Sequence, residues 1–194
     1  MNRIRIIGGT WRSRQLKFPD SPDLRPTPDR VRETLFNWLG QNLAGLTCLD
    51  LFAGSGALGF EAASRHAERV VMIESERRAF SALEQNLGEL AGKNPPIGDQ
   101  TGPASRLQLV RADALEWICA PQRPGEAKYD VVFADPPYRS GLLASVLSHL
   151  PRLLNPGARV YAESAEAIAA EGYTAIRSAV AGQVHYQLLE YSGQ

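Results

Sequence analysis

Asp50-Leu-Phe-Ala-Gly54-Ser-Gly56-Ala-Leu-Gly59 is the stretch on which the fold turns. It follows a short apolar run, Leu46 to Phe52, and opens a helical run, Ala57 to Arg65. Gly54, Gly56 and Gly59 match G-x-G-x-x-G, a pattern that permits a tight strand-to-helix turn and lets a ligand approach the backbone. Outward from it, strand-like and helical runs alternate. Arg69 to Glu74 reads as a strand and Glu76 to Leu87 as a helix; Arg106 to Val110 as a strand and Ala114 to Ile118 as a short helix. Tyr129 to Ala134 is a strand, Gly141 to Leu154 a helix and Ala158 to Glu163 a strand. Such alternation predicts a parallel sheet covered by helices on both faces. The end differs. Ala175 to Val180 and Val184 to Tyr191 flank Ala181-Gly182-Gln183, which predicts an antiparallel hairpin on the sheet edge. The stretches 92–105 and 121–127 are rich in proline and glycine and read as surface loops.

Ahead of the loop the pattern is different. Arg3 to Ile7 and Gln15 to Phe18 alternate apolar and polar residues around Gly8-Gly9, which predicts a small ribbon. A Pro- and Asp-rich linker follows, 19–28. Thr27 is the expected N-cap of a helix with Pro28 at its first position, Asp29 in its first turn and Val31, Leu35, Trp38 and Leu39 along its apolar stripe. The expected organisation is therefore a basic ribbon, 1–26, and a catalytic domain, 27–194. No apolar run reaches the roughly 18 residues of a membrane span, and Cys48 and Cys119 fit neither a disulfide framework nor a zinc spacing. These features lead to the expectation of a cytoplasmic protein without a metal or membrane attachment; a monomer is also expected, though neither feature bears on it.

The 194 residues contain 21 Lys+Arg and 21 Asp+Glu, a formal net charge of zero. The sum hides a distribution. Residues 1–32 hold eight basic and three acidic groups, so the remainder carries the opposite excess. A basic segment on an acidic body suits a phosphate backbone, and equally a solvated face.

Two constellations carry chemistry. In the first, Glu74 ends the next strand, 15 residues after Gly59, where a carboxylate can accept both ribose hydroxyls of a nucleoside. Asp50 beside the glycine loop suits a cationic ligand better than a pyrophosphate. S-adenosylmethionine (SAM), with its sulfonium and ammonium, is favoured on that ground. Asp113 can accept an adenine amino group, cap the helix from Ala114, or do both. In the second, Asp135-Pro136-Pro137-Tyr138 follows a strand and faces the same crevice. Two prolines remove two backbone donors. The Asp135 carboxylate and Pro136 carbonyl remain as acceptors for an exocyclic amine, and Tyr138 offers a face for stacking a base.

The glycine loop, Glu74, Asp113 and Asp135-Pro-Pro-Tyr138 together resemble the class I SAM-dependent methyltransferases that act on amino groups. Arg5-Ile-Ile-Gly-Gly-Thr-Trp-Arg-Ser-Arg-Gln-Leu16, Arg25-Pro-Thr-Pro-Asp-Arg-Val-Arg-Glu-Thr-Leu-Phe-Asn-Trp-Leu39 and Asp135-Pro-Pro-Tyr-Arg-Ser-Gly141 further resemble the RsmD family, bacterial 16S rRNA guanine-N2 methyltransferases. That resemblance implies a Rossmann-like α/β fold. Its sheet is seven-stranded and mostly parallel, with an inserted C-terminal hairpin and an N-terminal β-ribbon. It implies methyl transfer from SAM to the N2 of a guanine in 16S rRNA, within the small ribosomal subunit. Asp50, Phe52, Ala53, Gly54, Gly56, Glu74, Asp113 and Ala114, with Thr27 as a further candidate, then hold SAM. Asp135, Pro136 and Tyr138 hold the base, and Arg5, Trp11, Arg12, Arg14, Lys17 and Arg139 meet RNA. Trp11 is equally suited to packing under the ribbon, and Arg139 to a solvated helix start. Three other functions stay open on the residues alone: a DNA or tRNA amino-methyltransferase acting on adenine N6 or cytosine N4, a NAD-dependent oxidoreductase, and a non-catalytic RNA-binding protein.

Overall fold

A computed structural model describes residues 1–21, 24, 26–92, 102–121, 128–137 and 141–193. The expected linker and loop readings at 93–101 and 122–127, and the side chains of Arg25, Tyr138 and Arg139, lie outside the described residues.

Two strands, β1 (Asn2–Arg5) and β2 (Gln15–Phe18), pair antiparallel as the expected ribbon, with Ile4 opposite Leu16. The main chain then runs through α1 (Asp29–Leu39), β3 (Thr47–Asp50), α2 (Ala57–Ser64), β4 (Arg69–Glu74) and α3 (Arg77–Ala91). Next come β5 (Leu107–Arg111), α4 (Ala114–Cys119), β6 (Tyr129–Ala134) and α5 (Leu142–His149). The last strands are β7 (Leu154–Ser164), β8 (Tyr173–Ala181) and β9 (Val184–Tyr191). The seven strands of the main sheet lie in the order β5-β4-β3-β6-β7-β9-β8. β3 to β7 are parallel, and β9 pairs antiparallel with both β7 and β8. Chain order reverses between β3 and β6, and crevices form outside the carboxyl ends of the strands at such a reversal.

Burial on two faces explains why β3, β4 and β6 read as apolar runs rather than alternating ones. One face packs Cys48, Val70, Met72, Phe133 and Tyr161 against α1, α2 and the ribbon. The other packs Leu49, Val71, Ile73 and Val132 against α4 and α5. Three local expectations need correction. Pro28, not Thr27, occupies the cap position of α1, and no side chain caps that helix. Thr27 is buried instead, and its carbonyl accepts Nε of Arg32 at 3.2 Å. The helix expected over Gly141 to Leu154 ends at His149; Pro151 starts a 3-10 turn, Leu150–Leu153, because a proline has no N–H for another helical turn. Trp11 is 6% exposed, edge-on to Phe60 with ring centroids 6.4 Å apart, so its indole belongs to the core and not to an RNA-stacking surface.

A buried ionic network clamps the ribbon onto α2. Glu61 is fully buried. Its two oxygens accept the backbone N–H groups of Ile7 (2.8 Å) and Gly8 (2.7 Å). They also take Nε of Arg65 (2.8 Å) and Nη1 of Arg32 (3.4 Å). Arg32, equally buried, reaches the Arg5 carbonyl at 3.0 Å and Asp29 at 2.5 Å. Beside it the ribbon's turn presses on the end of α2, where Ser64 Oγ accepts the Trp11 N–H at 2.9 Å and donates to the Gly8 carbonyl at 2.6 Å. Gly9 is required there. Its φ is +73°, and a Cβ would stand 1.9 Å from the Ser64 carbonyl oxygen. Much of the N-terminal basicity is thus spent on the protein itself. Arg5 pairs with Asp29, Lys17 with Glu89, and Arg14 donates to the Glu89 carbonyl.

Candidate active site

The glycine loop leaves the end of β3 and is held from two sides. Asp50 is 3% exposed, and its Oδ2 accepts the Gly59 N–H at 2.9 Å. Burial pushes the Asp50 carboxyl up to about 7, and the Glu74 charge adds to the rise while the N–H groups of Gly59 and Phe52 oppose it. Asp50 therefore braces the loop from beneath, within reach of the charges of Glu74 and Asp135. On the other side, Glu74 Oε2 accepts the Gly54 N–H at 2.8 Å and Oε1 accepts the Glu76 N–H at 2.7 Å. Glu74 remains half-buried at the tip of β4. Gly56 caps α2 at φ +79°, and a Cβ there would meet the Phe60 ring at 2.5 Å and Leu83 at 2.7 Å. Only glycine satisfies both conditions. Phe52 is half-buried at the start of the loop, and Ala53 is buried, its N–H bonded to the Ile73 carbonyl at 2.9 Å.

Asp113, after β5, is exposed and caps α4 by accepting the Glu116 N–H at 3.0 Å, with buried Ala114 next to it. Because β5, β4 and β3 are consecutive in the sheet, Asp113, Glu74 and the Gly54 loop stand in a row at one end of it. Acceptors at two strand tips and an open backbone turn at the third match a nucleoside's hydroxyl and amino donors, so the residues present fit SAM. Thr27 is buried with its carbonyl on Arg32, and the structure does not bring its side chain into that row by any bond described.

Across the reversal, Asp135 and Pro136 follow β6 directly, Asp135 half-buried and Pro136 buried. Burial, then the neighbouring charges of Glu163 and Asp50, hold the Asp135 carboxyl well above the usual carboxylate range. Glu163, which sequence reasoning did not single out, is a neighbour whose charge acts on Asp135. It lies near the end of β7, half-buried, with its Oε1 accepting the Tyr161 hydroxyl at 2.5 Å. The signal was an acid at the end of a strand, next in the sheet to the strand bearing Asp135.

The expected RNA contacts divide. Arg12 is exposed and lines a surface groove of about 520 Å³ with Gly8, Gly9, Glu33, Asn37 and Arg65. Arg5, Arg14 and Lys17 hold Asp29 and the Glu89 region as described above. Among the described residues no group of three or more His, Cys, Asp or Glu side chains is arranged to hold a metal ion, and no helix is long and apolar enough to cross a membrane.

Comparison with known proteins places this architecture. The family model described as conserved hypothetical protein 95 matches residues 4–190. Ribosomal RNA small subunit methyltransferase D of Escherichia coli K12 is 40% identical over 198 residues, spanning 99% of this chain and 92% of that protein. The solved structure of Escherichia coli yhhF superposes with a TM-score of 0.82 at 39% identity, covering 100% of both chains. An RNA methyltransferase from Salinibacter ruber, solved with S-adenosyl-L-homocysteine, shares the fold at 18% identity with a TM-score of 0.65, over 88% of this chain and 95% of that one. The fold is that of the class I methyltransferases, and the chain belongs to the conserved hypothetical protein 95 family, the RsmD family.

Proposed function

We propose that the protein is a SAM-dependent methyltransferase of small-subunit ribosomal RNA, acting on the exocyclic N2 of a guanine. The observation that carries this reading is the placement of Asp135 and Pro136 across the chain reversal from the Gly54 loop, in a chain 40% identical to a small-subunit rRNA methyltransferase. Glu74 accepts from the ribose and Asp113 from the adenine. Both carboxylates retain free acceptor capacity beyond their backbone bonds. When bound, SAM supplies an electrophilic methyl group on a positively charged sulfur. Asp135 and the Pro136 carbonyl receive the two protons of the target amine and turn its nitrogen lone pair toward the methyl, so that positioning supplies much of the rate. Asp135 also stands ready to take the proton that the amine gives up. Its raised affinity for protons suits that role. Tyr138 adjoins the pair in sequence and is assigned to stack on the extruded base. Arg12 is the ribbon cation best placed to meet RNA phosphates, since it is exposed and lines a groove. The product is expected in the cytoplasm, where ribosomes are assembled.

Labelled methyl transfer from SAM tests the proposal with small subunits lacking the mark, bare 16S rRNA, tRNA and DNA side by side. The expected result is label in the small subunit recovered as N2-methylguanosine. Label recovered as N6-methyladenosine or N4-methylcytosine would assign the same acceptor chemistry to another base and overturn the guanine assignment.

A further inference from the structure

Glu163 has no part in the chemistry described so far, yet its position relates directly to Asp135. β6 and β7 are parallel with Ala134 opposite Ala162; Asp135 is the first residue beyond β6, Glu163 follows Ala162 on β7, and the charge of Glu163 acts on Asp135. Phe133 and Tyr161, two residues before each, lie in the same core cluster on the side of α1 and the ribbon. Tyr161 fixes Glu163. Its hydroxyl donates to Oε1 at 2.5 Å, and its fully buried ring is held against Tyr186 at 6.5 Å. Tyr186 in turn stacks on Trp38 at 5.4 Å. The carboxylate is therefore preorganised by a packed aromatic column, and one of its oxygens is committed to accepting.

We propose that Glu163 determines base specificity by accepting the N1–H of the target guanine beside the N2 amine held by Asp135. This rests on the guanine-N2 reading above. The chemistry distinguishes the bases. In guanine the amine adjoins N1–H, a second donor. In adenine and cytosine the amine adjoins a bare ring nitrogen, an acceptor. Two neighbouring carboxylates match two neighbouring donors and repel an acceptor placed between them. Guanine's N–H groups also offset the repulsion between the Asp135 and Glu163 charges. A site built to hydrogen-bond a donor discriminates strongly against an analogue lacking it, because its own polar group is left unmatched.

The test uses small subunits in which the methylated guanine is replaced by 2-aminopurine, which keeps the 2-amino group but has no N1–H. Wild-type protein is expected to prefer guanine by on the order of 10- to 100-fold in kcat/KM. In Glu163→Gln the side-chain amide can donate to the bare N1, and the preference is expected to collapse to within about threefold while SAM affinity is unchanged. Tyr161→Phe, which frees the carboxylate without removing it, is expected to reduce the preference part of the way. It serves with Glu163→Asp if the Gln variant fails to fold. A wild-type protein that methylates 2-aminopurine as well as guanine overturns the proposal, as does a Glu163→Gln variant with the wild-type preference. Both outcomes leave the guanine-N2 reading standing. A wild-type product other than N2-methylguanosine sinks that reading first and the proposal with it.

Discussion

Replacing Glu61 by Gln tests whether the ribbon is held by buried charge. The side chain keeps its shape but exchanges one acceptor oxygen for an NH₂ group. In the wild type each oxygen serves one backbone N–H and one guanidinium, with Ile7, Gly8, Arg65 and Arg32 at 2.7 to 3.4 Å. Whichever way the amide turns, one backbone donor and one guanidinium lose their acceptor. An orphaned buried donor costs about 1–3 kcal/mol. Breaking a buried ion pair from one side costs about 3–5 kcal/mol, and these contributions overlap. Arg32 retains Asp29, which limits its share. The expected loss is about 4 kcal/mol, a large fraction of the roughly 5–15 kcal/mol by which domains are stable. At about 2–4 °C per kcal/mol for a chain of this size, Tm falls by roughly 10 °C. Thermal unfolding followed by circular dichroism reads the shift, and amide exchange at Ile7 and Gly8 localises it. A second variant, Glu61→Gln with Arg32→Met, removes the stranded guanidinium and should recover at least about 1 kcal/mol relative to the sum of the single losses. A Glu61→Gln protein within about 1 kcal/mol of wild type would refute the reasoning.

Three more predictions concern the site and the ribbon. Asp50 holds its proton in the fold at pH values where the unfolded chain has lost it, since burial raises it to about 7 from an ordinary value of 3.8. The stabilisation from that difference is complete below about pH 4 and lost as pH rises through about 7. At 1.36 kcal/mol per pH unit it amounts to about 4 kcal/mol. Urea unfolding of Asp50→Asn and wild type should therefore diverge in the variant's favour from pH 5 to 7.5, and parallel curves would contradict the burial argument. Gly56→Ala places a Cβ 2.5 Å from the Phe60 ring at φ +79°. It should cost about 2–4 kcal/mol and weaken SAM binding at least tenfold by calorimetry; wild-type values of both would show that the loop tolerates a side chain. Arg12→Ala should leave Tm unchanged within about 2 °C while lowering the salt dependence of RNA binding by about one unit of slope, and an unchanged slope would remove Arg12 from the RNA interface.

What was legible in the sequence was local. The glycine loop, the strand ending in Glu74 and the Asp135-Pro-Pro run are short segments whose spacing is fixed by one turn or one strand. Their order along the chain placed them at one end of the sheet. The charge network was not legible, because Arg32, Glu61 and Arg65 sit on helices where charges ordinarily mark a solvated face. Only the packing of α1, α2 and the ribbon buries all three. The same burial reassigns most of the N-terminal basic excess. Arg5, Lys17 and Arg32 form intramolecular ion pairs, so net charge by segment overstated what remains for a partner. Asp50 was found by its place before the glycines. Its inward orientation depends on the Gly59 N–H nine residues later in the chain, which spacing does not specify. Glu163 was hidden for a similar reason, since the carboxyl whose charge it neighbours, beyond the tip of β6, is Asp135, 28 positions earlier in the chain.

The central claim is that Asp135 presents an acceptor to the amine of a guanine in small-subunit rRNA. The most direct measurement compares wild type and Asp135→Ala on small subunits lacking the methyl mark, with nucleoside analysis of the digest and calorimetry of SAM binding on the same preparations. The account predicts N2-methylguanosine from wild type and a loss of transfer by at least about 100-fold in the variant, with SAM affinity changed less than about threefold. Full transfer by Asp135→Ala, or a wild-type product methylated on any base other than guanine, would contradict it.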